Sequence, residues 1–198
     1  MTLGFKKIFP DDLDIIGGKP TFFVEEILAG FEKESVLKFY RKTYNVDFNN
    51  PEELLPFLKQ VADYTFDLNV FNAYRAAGVA KRHTIRIDAK DLWKAGNDIH
   101  FVINNRQQNR FQFAPTIKCI STQEIKVSWF NQSRYLEASK LYPRFYNHVQ
   151  VNIDGSNQII KEINELSLND GFSFTEQFFA YFNESFSGKI IHWTPLKY

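Results

Sequence analysis

The spacing of hydrophobic and polar positions changes near Gly78. Before it, apolar residues recur at helical intervals; after it, they alternate. The opening LGFKKIF (3–9) predicts a short strand, and PDDLDIIGGKP after it is rich in turn residues. FFVEEILAG then predicts a helix with Thr21 as N-cap, Glu25 and Glu26 near its start and Gly30 at its end. EKESVLKFYRKTY follows with Val36, Leu37, Phe39 and Tyr40 as its apolar positions. NPEELLPFLKQVADYTF opens on Asn50 as cap and Pro51 as first helical residue, and NVFNAYRAAG closes at Gly78. No fixed repeat joins these segments, which excludes a solenoid.

Beyond Gly78, HTIRI, DIHFVIN, RFQFAPTIKCIS and EIKVSWF predict four strands. DAKDLWKAGND connects the first two, with Trp93 as anchor and Gly96 at the turn. INNRQQNRFQF reads as a hairpin with a polar tip over 104–109. A strand in YNHVQVNIDGSN ends in an Asp-Gly turn, and IIKEINELSLNDG predicts a helix closing near Gly171. Ser173 with Glu176 forms a capping box for FTEQFFAYF, and GKIIHWT predicts a last strand. The expected fold class is α+β: a small curved sheet or barrel over residues 1–30 and 80–198, flanked by short helices, with 31–79 as a helical insertion.

Composition narrows the function classes. A chain of 198 residues with 44% hydrophobic and 24% charged residues has the makeup of a globular domain rather than a disordered chain. A net charge of +1 excludes a global field of the kind that coats duplex nucleic acid, so any such contact must be a local basic patch. Cys119, the single cysteine, excludes an intrachain disulfide and a cysteine-based zinc site. The four histidines lack ligand spacing, so no metal or other cofactor is expected. With no apolar leader and no long apolar run, the expectation is a soluble, cytoplasmic protein without a membrane contact. Aromatics reach 17%, most of them core, with Trp93 and Trp193 flanking polar elements where a base can stack.

The segment AKRHTIRI (80–87) is the odd strand, because neither face is cleanly apolar. Alternation puts Arg82, Thr84 and Arg86 on one face and Lys81, His83 and Ile85 on the other. Lys81 and Thr84 therefore converge only if Lys81 precedes the strand or a bulge intervenes. Taken alone, the charge reads as a solvated edge strand protected against aggregation.

ILAG (27–30), KRHTIR (81–86), WKAGNDIHF (93–101) and NDGFSFTEQFFAYF (169–182), in that order, resemble the ASCH domain. The resemblance covers roughly residues 20–30 and 80–194. It implies a β-barrel like that of pseudouridine synthase and archaeosine transglycosylase (PUA-like). Three features depart from the family pattern: the helical block between Gly30 and Lys81, a Gly96-Asn97-Asp98 turn in place of Gly-Asp, and a longer segment at 131–145. Small bacterial members are amidohydrolases that remove acetate from N4-acetylcytidine with a lysine, a threonine and a glutamate. Carried over by motif, these roles fall on Lys81, Thr84 and Asp170, the last one methylene shorter than glutamate. The lysine would act as base toward the threonine hydroxyl or a water, and the carboxylate would protonate the leaving amine. Arg86 would bind an oxygen in the same cleft, with Arg82 and Trp93 beside it.

The expected ligand is thus a nucleobase, modified nucleoside or RNA, with amidohydrolase chemistry as one outcome. A non-catalytic RNA-binding module is the alternative, with Arg106 and Arg110 of NNRQQNR holding phosphates, though the same stretch also reads as a plain hairpin tip. A further alternative is an interaction protein whose partner docks on 31–79. Asp170 in NDGF has a purely structural reading as a turn residue.

Overall fold

The structure, a computed structural model, describes residues 1–13, 15–130 and 148–198; the longer segment expected at 131–145 lies outside them. In chain order the elements begin with β1 (Thr2–Gly4), α1 (Phe23–Ala29), α2 (Lys33–Tyr44), α3 (Leu54–Ala62) and α4 (Leu68–Ala77). Then come β2 (His83–Arg86), β3 (Asp98–Ile103), β4 (Phe111–Gln112), β5 (Ile117–Lys118) and β6 (Ser121–Trp129). The last are β7 (Val149–Ile153), β8 (Ser156–Asn157), α5 (Ile160–Asn169), α6 (Thr175–Tyr181) and β9 (Phe186–His192). No helix among the described residues is long and apolar enough to cross a membrane.

Contacts divide the chain into two compact units. The first comprises Met1–Ile8, Pro20–Lys81 and Asp98–Lys118; the second comprises Phe9–Lys19, Arg82–Asn97 and Cys119–Tyr198. The helical segment expected at 31–79 therefore belongs to one unit with strands from both sides of it in sequence. The strands expected in a single barrel are shared between the two.

In the first unit, β3 is the hub: β1 pairs with it in parallel, and β4 and β5 pair with it antiparallel. Leu3 lies opposite Phe101 in that ladder, and both are buried. Phe5, Phe101 and Phe113 pack ring against ring at 5.9–6.2 Å. The Tyr40 ring of α2 is fully buried, and its hydroxyl donates to the Phe113 carbonyl at 2.8 Å. Each such ring contributes about 1.5–3 kcal/mol by leaving water, which is where the aromatic surplus goes.

The second unit is a five-stranded antiparallel sheet in the order β2-β9-β6-β7-β8. Ile125, Val127, Val151, Ile153 and Ile190 are all buried in it, with Phe172, Phe178 and Phe179 from α6 and the turn before it. Neither sheet closes into a barrel among the described residues. What the structure shows is an α+β fold with two open sheets.

Local signals act largely as expected, with two exceptions. The Asp67 carboxylate caps α4 by accepting from Val70 N at 3.0 Å, and Gly78 ends it at φ 65. Asn50 accepts from the amides of Glu52 and Glu53, but the turn it holds is a short 3-10 turn ahead of α3. Thr21 does not cap α1; its hydroxyl donates to Lys6 O at 2.7 Å, and Phe22 takes the N-cap position at φ 55. Ser173 likewise loses its role because α6 starts later, after Phe174, and the Gln177 side chain accepts from Ser173 N instead.

Candidate functional site

β2 begins at His83, so Lys81 stands before the strand. The register with β9 sets His83 opposite His192, Thr84 opposite Ile191, Ile85 opposite Ile190 and Arg86 opposite Lys189. Opposed residues share a face of the sheet. His83, Ile85, Ile190 and His192 therefore lie on one face, and Thr84, Arg86, Lys189 and Ile191 on the other. The strand that looked badly patterned in sequence has a buried residue at each of its first three positions.

Thr84 is 1% exposed, and its hydroxyl has no hydrogen-bond partner. Arg86, two residues on, is half-buried, with Nη1 donating to Ile85 O at 3.0 Å. Gly188 makes room for this stretch, since a Cβ there would sit 2.5 Å from the Arg86 carbonyl oxygen. Asp170, at the C-terminus of α5, meets β2 along its outer edge. Arg82 N donates to Asn169 O at 2.8 Å, and the Asp170 carboxylate lies 3.7 Å from His83 Nδ1 with both side chains buried. Asp170 and Arg86 also act together on Tyr181 of α6. Burial pushes the phenol up, the Arg86 guanidinium draws it down, and Asp170 adds a push upward. Thr84 and Arg86 thus share one face of β2, while Asp170 meets the strand at His83, whose side chain lies on the other face.

Behind this edge sits a buried aromatic and imidazole layer. His83 Nε2 lies 2.8 Å from the Tyr198 hydroxyl, and the His83 and His192 rings are 5.3 Å apart. Gln123 holds Tyr198 through both main-chain groups, at 3.0 and 2.8 Å. Neither nitrogen of His192 has a partner, and burial holds its pKa down to about 4, helped by the Lys197 charge. His192 is therefore neutral at physiological pH.

Lys189 shares the face of Thr84 and Arg86. Its ammonium bonds the Asp91 carboxylate and the Trp93 carbonyl, with Asp88 at 3.7 Å and Glu124 at 3.9 Å. Lys189, aided by Lys94, lowers the Asp91 pKa to about 2. This ties the 88–97 connection to the sheet, and Trp93, at 7% exposure, packs as part of it. Trp93 as placed offers no open ring for stacking, whereas Arg82 is exposed.

Lys81 closes the first unit. It is 3% exposed, with Nζ 4.4 Å above the Phe23 ring, a cation–π contact. The same unit buries two carboxylates of α1, at Glu25 and Glu26. Glu25 accepts from the Tyr64 hydroxyl at 2.6 Å and from Asp67 N at 2.8 Å, and burial raises its pKa. Tyr74 bonds Glu26, and its own pKa rises through burial and that carboxylate. Sequence reading placed these two acids at a helix start and missed their burial. The signal was there in FVEEI, where adjacent acids interrupt an apolar helix shorter than two and a half turns.

Arg106 and Arg110 are both exposed near the hairpin tip, Arg106 in the left-handed region at φ 69. Arg110 lies 3.4 Å from Thr2 Oγ1. Arg106 lines an open groove of about 450 Å³ with Lys6, Lys7, Asn105 and Gln107. Among the described residues, no group of three or more His, Cys, Asp or Glu side chains is placed to hold a metal. No family model, no curated protein and no solved structure matches this chain.

Proposed function

We propose that the outer edge of β2 is a ligand site for a nucleobase or modified nucleoside, of the kind the ASCH resemblance implies. The observation that carries this is Thr84: a buried hydroxyl without a partner, on the strand that also carries Arg86 and meets Asp170. An unpaired buried hydroxyl costs about 1–3 kcal/mol, and a ligand with complementary donors and acceptors removes that cost on binding. Arg86 supplies charge-assisted donors for a carbonyl or phosphate oxygen, and Asp170 accepts from an exocyclic amine. Hydrolysis of an acylated cytidine amide is the catalytic form of this reading: water adds to the acetyl carbon, its proton passes through Asp170 to the amine as the C–N bond breaks, and acetate leaves. Lys81 enters it through its place in the sequence pattern, three residues before Thr84.

The partner-docking alternative lacks comparable support. Among the described residues of 31–79, Val79 is the single exposed large hydrophobic side chain.

Saturation-transfer NMR with cytidine, N4-acetylcytidine, uridine and adenosine tests the site. The expected result is contact with at least one nucleoside by the unaltered protein and its loss in Thr84→Val and Asp170→Asn. A chromatographic time course then distinguishes binding from release of acetate, with Lys81→Ala as the arm for the base. Nucleoside contact that persists unchanged in both β2-edge variants, or no contact with any nucleoside, overturns the assignment.

A further inference from the structure

We infer that the first unit carries a second binding site, a pair of joined grooves that takes a single-stranded nucleic acid through its phosphates and one base. The basic groove is lined by Lys6, Lys7 and Arg106 and by no acidic side chain. Lys6 and Arg106 are exposed. Lys7 Nζ donates to the Asp63 carbonyl at 3.0 Å, which orients the ammonium and leaves two of its three donors for a ligand. Asn105 and Gln107 add amide groups that can both donate and accept.

The wall of this groove is fixed in advance. Asn104 is 7% exposed, and its side-chain amide donates to Ala62 O at 2.6 Å and to Asn109 O at 3.3 Å. The turn it holds places Arg106 on the groove with left-handed backbone. Gly4 permits the opposite wall to close in, because a Cβ there would meet Asn105 Cβ at 2.9 Å. Three cations on preorganised backbone bind phosphate with little ordering cost.

Lys7 and Ile8 also line a second groove, of about 640 Å³, with Phe22, Leu55 and Phe66. Its chemistry differs. It is richer in apolar surface, and it carries Asp63 and Asp67, of which Asp63 is held ionised by Lys59. Those carboxylates repel a phosphate and leave this groove to an uncharged ring. Phe22, half-buried and held at φ 55, offers the aromatic surface. Phosphate in one groove and base in the next is the alternation of a single strand, whereas a duplex keeps its bases stacked away from such a ring. The inference stands on these grooves alone and does not depend on the β2-edge site.

Fluorescence anisotropy with a fluorescein-labelled twelve-residue oligouridine RNA tests it, with a duplex of equal length, polyphosphate and an acidic peptide as competitors. The expected result is binding that weakens with salt, the log–log slope falling by about 0.7 for each of Lys6→Ala and Arg106→Ala. Phe22→Leu is expected to weaken binding about fivefold or more, and Phe22→Tyr, which keeps the ring, to restore it. Melting curves of each variant guard against unfolding. No binding of the RNA, or equal competition by polyphosphate or the acidic peptide with no effect of Phe22→Leu, overturns the inference.

Discussion

Thr84→Val separates a hydroxyl kept for a ligand from one kept for the fold. The side chain is 1% exposed and its Oγ1 has no partner, so the free protein bears the desolvation cost without return. Valine replaces that oxygen with a methyl of similar shape and suits an extended strand. Removing an unsatisfied buried hydroxyl is worth about 1–3 kcal/mol, and the new methyl adds buried apolar surface. Taking the low end, about 1 kcal/mol, the melting temperature rises by about 2–4 °C for a chain of this size. Binding moves the other way: a lost ligand hydrogen bond weakens it by about tenfold. The assay is urea unfolding followed by tryptophan fluorescence, paired with nucleoside titration of the same two proteins. A loss of stability above about 1 kcal/mol would show that Oγ1 bonds within the fold. Unchanged affinity would remove Thr84 from the site.

Acid stability follows from His192. Its folded pKa of about 4 lies below the usual 6.5, so the unfolded chain takes up the proton first as pH falls. Stability from this group is complete above about pH 6.5 and drains toward pH 4, with about 2 kcal/mol gone at pH 5. His192→Leu should flatten that part of the pH profile in urea titrations; a slope equal to that of the unaltered protein would refute the burial argument. Gly188→Ala should lower the unfolding free energy by about 1–3 kcal/mol in urea titrations, because its Cβ would press on the Arg86 carbonyl across the β2–β9 pair. Wild-type stability in that variant would mean the strands can part without cost. Tyr64→Phe should raise the pKa of Glu25 further by removing the hydroxyl bond to its carboxylate, readable by carboxyl carbon NMR shifts.

Periodicity in the sequence determined most elements, because helix and strand spacing and Gly78 as a stop are local matters of backbone geometry. It also determined that His83 and Ile85 share a face, since alternation needs no partner strand, whereas the start of β2 at His83, after Lys81, came from the structure. Two caps went elsewhere for a tertiary reason: the Thr21 hydroxyl found the Lys6 carbonyl, and α6 began after Phe174. The tertiary structure alone decided that the strands divide between two open sheets, since pairing joins residues far apart in sequence, such as His83 with His192. It decided too that Glu25 and Glu26 are buried, that Trp93 packs rather than stacks, and that Asp170 meets His83. Burial and side-chain partnership depend on what lies opposite a residue, and no local pattern of hydrophobic and polar positions encodes that. The groove of Lys6, Lys7 and Arg106 shows this most plainly: its walls are about a hundred residues apart in the chain and become one site only when β1 lies along β3.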